Sequence, residues 1–83
     1  MSQNIPENSN LTEAPITDEL WREYDFNGRV YRIDEPQVLI MRKGGTTHRI
    51  VDKNGVVHCI PAPGTQGCVL RWKNKEGFVR VNF

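Results

Sequence analysis

A chain of 83 residues has room for one domain, and at this size only about 60% of the unfolded surface is buried on folding, so little chain is left to build a deep pocket. With 25% charged residues and three Phe, two Trp and two Tyr, the composition is that of a globular domain and excludes disorder throughout. The net charge of +1 hides an asymmetry: residues 1–19 hold four acids and no Lys or Arg, while the remainder holds all eleven Lys and Arg against six acids. An acidic start ahead of a basic body fits a polyanion partner, and equally a solvated surface.

The opening MSQNIPENSN has neither a basic nor an apolar leader region, and the longest apolar run, Val38 to Met41, is too short to span a bilayer. A cytoplasmic location follows as an expectation. Its two cysteines, Cys59 and Cys68, then read as free thiols. Residues 1–16 are rich in Asn, Ser, Pro and Glu and offer too little apolar surface to offset ordering, so the expectation is a disordered acidic tail before a single β domain over residues 17–83. Thr17 followed by Asp18 and Glu19 reads as the cap and first turn of one short helical turn reaching about Glu23.

From Tyr24 the pattern is that of strands. Asn27-Gly28 between Tyr24-Asp25-Phe26 and Arg29 to Ile33 marks a two-residue hairpin loop, pairing Phe26 with Arg29, Asp25 with Val30 and Tyr24 with Tyr31, and Glu23 with Arg32 if the strand extends that far. Tyr24, Phe26, Tyr31 and Ile33 then share a core face. After Asp34-Glu35-Pro36, the run from Gln37 to Arg42 reads as a central strand buried on both faces. The stretch Gly44 to Ile60 is a second hairpin about Asn54-Gly55. A two-residue loop there pairs Ile50 with Cys59, and a three-residue loop with a Gly bulge pairs Ile50 with His58.

Pro61 to Gly67 is a loop by composition. In the last hairpin a four-residue loop, Asn74 to Gly77, sets Trp72 against Val79, Leu70 against Val81 and Cys68 against Phe83. Arg71, Lys73, Phe78 and Arg80 then share the opposite face with Val69 and Asn82. Six or seven short strands with tight turns predict an all-β fold, a small antiparallel β-barrel or roll of SH3-like kind, with an open β-sandwich as the alternative.

The chemistry-bearing residues are few. His48, His58, Cys59 and Cys68 are spaced H-x9-H-C-x8-C, unlike zinc patterns, and adjacent His58 and Cys59 point to opposite faces of a strand, so neither metal nor cofactor is expected. A nucleophilic site would pair Cys59 or Cys68 with His48 or His58 and Asp52 as the orienting acid. No concave site is foreseeable for it, and the chain reads as non-enzymatic. GGTTHR opens onto a strand rather than a helix N-terminus, which argues against a phosphate cradle. The basic residues carry more. Arg71, Lys73 and Arg80 with Phe78 form one cationic face, and Arg42, Lys43 and Arg49 cluster near Gly44-Gly45, a mixture by which small β-barrels hold nucleic acid. The expected function is a binding module for a nucleic-acid backbone. The alternative is a protein-binding or accessory module of bacterial or prophage type, offering Trp21 and the Pro61 to Gly67 loop as apolar surface.

Overall fold

The computed structural model describes residues 11–64 and 67–82, and over them the chain is all-β with no helix. Eight strands follow in order: β1 (Leu11–Pro15), β2 (Glu19–Phe26), β3 (Arg29–Asp34), β4 (Pro36–Arg42), β5 (Thr47–Asp52), β6 (Val57–Pro61), β7 (Cys68–Asn74) and β8 (Val79–Asn82). They form two four-stranded antiparallel sheets, ordered β1-β4-β5-β6 and β3-β2-β7-β8. The expected closed barrel is not formed. Among the described residues each sheet keeps two free edges, and the sheets meet face to face over a core of Ile16, Tyr24, Ile33, Leu39, Ile50, Ile60, Cys68 and Leu70.

The strand beyond the expected seven is β1, part of the segment read as a disordered tail. Leu11 to Pro15 pairs in register with Arg42 to Val38 of β4, while its side chains stay largely exposed. The segment is held by main-chain hydrogen bonds to a strand already ordered, a contribution that counting its apolar side chains overlooks. The rest of that expectation, residues 1–10, lies outside the described residues. The helical turn is also replaced. Thr17 and Asp18 make a tight turn closed by Glu19 N–H to the Ile16 carbonyl at 3.1 Å, and β2 begins at once. Period-two alternation over ELWREYDF, with Arg22 and Tyr24 inward and Trp21 and Glu23 outward, outweighs the capping signal of Thr17.

The first hairpin has the expected pairing from Phe26 with Arg29 to Glu23 with Arg32, and it continues to Arg22 with Ile33 and Trp21 with Asp34. Asp25 Oδ1 accepts the Gly28 N–H at 2.7 Å and fixes the turn. Tyr24 and Ile33 are buried on the expected core face, but Tyr31 is 45% exposed, and the inward position opposite Ile33 is taken by Arg22. Strand β4 is interior to its sheet, between β1 and β5. In the β5–β6 hairpin Ile50 pairs with His58, the register of the three-residue loop.

The last hairpin differs from expectation by one residue. Asn74 N–H donates to the Phe78 carbonyl at 2.9 Å, leaving a three-residue loop, and Lys73 pairs with Val79, Trp72 with Arg80 and Arg71 with Val81. Asn74 belongs to the strand because its Oδ1 accepts the N–H groups of Glu76 and Phe78 at 3.1 and 3.0 Å. Gly77, at φ 99°, supplies the left-handed residue the shorter loop requires. One residue of slip moves every β8 side chain to the other face. Val79 and Val81 therefore stand beside Lys73 and Arg71, and Phe78 and Arg80 fall on the Trp72 face.

The molecule measures 46 × 27 × 19 Å with a radius of gyration of 13.8 Å, against about 12 Å for a compact chain of this length. The two sheets are joined closely where β2 passes β4, and all four residues of β8 are exposed. No helix in the described residues is long and apolar enough to cross a membrane.

Candidate nucleic-acid interface

The outer face of the β1-β4-β5-β6 sheet follows from its register. Leu39 pairs with Ile50 and Met41 with His48 toward the core, so Val38, Ile40 and Arg42 of β4, with Arg49 and Val51 of β5, point outward. Leu11 sits opposite Arg42 and Glu13 opposite Ile40. Arg42 and Arg49 line one groove of about 180 Å³ with Leu11, Ile40, Gly45, Thr46 and Thr47. Its end is the β4–β5 turn, closed by Gly45 N–H to the Arg42 carbonyl at 2.8 Å. A side chain at Gly45 would bring Cβ within 3.0 Å of that oxygen and 3.2 Å of Arg42 Cβ, so the turn folds tightly against Arg42 only with glycine there.

The structure thus brings together Arg42 and Arg49, with Lys43 next in the turn and all three exposed. Among the described residues none of the three has a carboxylate within ion-pair distance. It does not bring together Arg71, Lys73, Phe78 and Arg80. Arg71 Nη2 donates to Asp25 Oδ2 at 2.7 Å, and its Nε lies 3.8 Å from Glu23. The Arg71 guanidinium, with the Gly28 amide, holds the Asp25 carboxyl below the usual carboxylate range. Lys73 shares that outer face, whereas Phe78, 61% exposed, and Arg80 lie on the other side of β8. Trp21 is half-buried with the Arg32 guanidinium 4.8 Å from its ring centre, and Pro61, Ala62 and Pro63 are half-buried.

Sequence reasoning missed the polar network between the sheets. Arg22 and Glu19, both about 5% exposed, form a two-pronged pair, Nε to Oε1 at 2.9 Å and Nη2 to Oε2 at 2.7 Å. Arg22 Nη1 donates to the Tyr24 hydroxyl at 3.0 Å, and that hydroxyl lies 2.8 Å from His48 Nδ1 across the sheets. Burial and the Arg22 charge hold the His48 imidazole below its ordinary value, so it is neutral and Tyr24 donates to it. Burial pushes the Tyr24 phenol up to about 12. A second bridge joins the Tyr31 hydroxyl to His58 Nδ1 at 2.8 Å, with His58 Nε2 2.9 Å from Asp52 Oδ2.

The pairing of His58 with Asp52 posited for a nucleophilic site is therefore present, but the residue at its other end is a tyrosine. Cys59, exposed, points away from His58, and burial pushes the Cys68 thiol up. The only sequence signal for either bridge was inward placement: Tyr24 and Tyr31 share one face, and His48 and His58 each fall beside core aliphatics. No known protein family, curated protein or solved structure matches this chain.

Proposed function

We infer that the protein is a non-enzymatic binding module that holds a nucleic-acid backbone on the outer face of the β1-β4-β5-β6 sheet, with Arg42, Arg49 and Lys43 as its phosphate contacts. The observation that carries this reading is the pair of guanidinium groups lining one groove without carboxylate partners among the described residues, over an aliphatic bed of Ile40 and Leu11. An arginine with no carboxylate partner offers a planar fork of donors suited to a phosphodiester and loses no internal ion pair on binding. Thr46 and Thr47 add hydroxyls at the same wall.

Among the described residues no aromatic side chain lines the groove, and Phe78 belongs to the other sheet. The contact is with the backbone rather than with stacked bases, so duplex and single strand are bound alike and sequence matters little. Fluorescence titration with labelled DNA and RNA at low and physiological salt tests this. Affinity falls with salt, and an Arg42→Ala, Arg49→Ala double variant flattens the log-log slope by about 2 units, near 0.9 for each phosphate no longer neutralised on duplex DNA. Arg71→Ala, whose guanidinium is already paired, leaves the slope unchanged. Absence of binding to every nucleic acid at low salt overturns the reading in favour of a protein partner, for which the exposed Val79 and Val81 of the β8 edge are the surface.

A further inference from the structure

Two tyrosine–histidine pairs cross between the sheets with nearly the same geometry, each with a 2.8 Å hydroxyl-to-Nδ1 distance and rings edge to face at 5.7 Å. Their surroundings differ. Tyr24 is fully buried, its oxygen receives a hydrogen bond from Arg22, and among the described residues no carboxylate stands behind His48. Those are the needs of a lock between sheets. Tyr31 is 45% exposed, and behind it His58 is backed by Asp52, whose other oxygen is fixed by the N–H groups of Asn54 and Val56 at 2.8 and 3.1 Å.

The direction of each hydrogen bond follows from Asp52. Its bond to His58 and the two amides hold this carboxyl below the usual range, so it is ionised and only accepts. His58 Nε2 therefore carries a proton and donates it to Asp52, which in the neutral ring leaves the Nδ1 lone pair facing the Tyr31 hydroxyl. A carboxylate, an imidazole and the hydroxyl of an exposed tyrosine in series are the parts from which an activated nucleophile is built. A lock would need neither the carboxylate nor the exposure.

We propose that Tyr31 is a nucleophilic acyl acceptor, with His58 as its general base and Asp52 holding the imidazole, and that it takes the acyl group of an activated carboxylic ester. In this step the Tyr31 Oη–carbon bond forms as its proton passes to His58 Nδ1. The bond from acyl carbon to leaving oxygen then breaks, and the proton goes from His58 to that oxygen. The products are an O-acyl tyrosine and an alcohol, with no oxidant or reductant consumed. The inference is independent of the Arg42–Arg49 groove, which lies on the outer face of the sheet whose β5 and β6 carry Asp52 and His58 on the inner side.

The test is acetylation of the full chain by p-nitrophenyl acetate at pH 7, in a Cys59→Ser background so that the exposed thiol does not compete. Label is located by peptide mass spectrometry, with N-acetyltyrosinamide as the reference phenol. Tyr31 is expected to react at least about a hundredfold faster than the reference, the lower end of the ~10²–10⁴-fold span of general-base assistance. His58→Gln and Asp52→Asn each lower that rate to about the reference rate. Tyr24 must remain unlabelled for a variant to be scored, which separates loss of the base from loss of the fold. Tyr31→Phe abolishes the stoichiometric release of p-nitrophenolate. A Tyr31 rate equal to the reference, a rate unchanged by His58→Gln, or label found on His58 alone overturns the proposal.

Discussion

At the residue scale, the buried polar atoms of this small core are concentrated in one chain of contacts, Glu19 to Arg22 to Tyr24 to His48. A buried arginine is tolerable only when its donors are matched, and here Glu19 takes two of them, Tyr24 a third, and the Trp72 ring lies 5.7 Å from the guanidinium carbon. His48 at the far end faces Arg22 and Tyr24 from the opposing sheet, between Met41 on β4 and Ile60 on β6. Its affinity for a proton is below the ordinary value of 6.5, from burial first and the Arg22 charge second. The unfolded chain recovers that ordinary affinity. Below pH about 6.5 it therefore binds a proton the folded state refuses, and stability falls with acid until the folded pKa is passed, where the loss is complete. Denaturant titrations between pH 7 and pH 5 should show this decline, and His48→Gln, which keeps an acceptor for Tyr24, should flatten it. An undiminished slope in the Gln variant would assign the decline to another group. Beyond the inward face shared by Tyr24 and Tyr31, the network was not legible in the sequence, because residues 24 and 48 meet only through the packing of two sheets. Residues 31 and 58 meet in the same way.

At the scale of the element, what could be read depended on how firmly a turn fixes its own length. Asn27-Gly28 admits one short loop, and the first hairpin formed in the expected register. Asn54-Gly55 admits two, and the bulged one formed. Between Trp72 and Val79 the run KNKEG also admits two lengths, and the side chain of Asn74 selects the shorter by accepting two loop amides. That single residue dispersed the expected cationic face of the last hairpin, whereas Arg42, Lys43 and Arg49 were expected together from their closeness to the Gly44-Gly45 turn, and the strand pairing adds that Arg42 and Arg49 both face outward. Gly77 now holds the register, and an L residue at φ 99° is strained by about 1 to 2 kcal/mol. Gly77→Ala should lower stability by about that amount in urea denaturation with the slope unchanged. A neutral effect would mean that the loop relaxes to the four-residue form, which hydrogen exchange at Phe78 and Val79 would reveal.

For the whole molecule, composition and turn spacing identified an all-β chain, but not the way its strands divide between two sheets. β1 leaves for one sheet and β2-β3 for the other, then β4-β5-β6 return to the first and β7-β8 to the second. Both sheets are thus completed by pairings between strands distant in sequence, β1 with β4 and β2 with β7. Non-local pairing of this kind puts folding in the range of milliseconds to seconds, and stopped-flow tryptophan fluorescence should place it there. Microsecond relaxation would contradict the pairing order. The same arrangement governs the nascent chain. Strand β2, with its neighbour β3, emerges about 40 residues before β7, and at 5–20 residues per second its second edge stays open for about 2 to 8 s. During that interval the ribosome presents an unpaired ELWREYDF edge with Arg22 and Tyr24 still in water, and a strand-capturing chaperone has its opportunity then, before β7 takes the same hydrogen bonds.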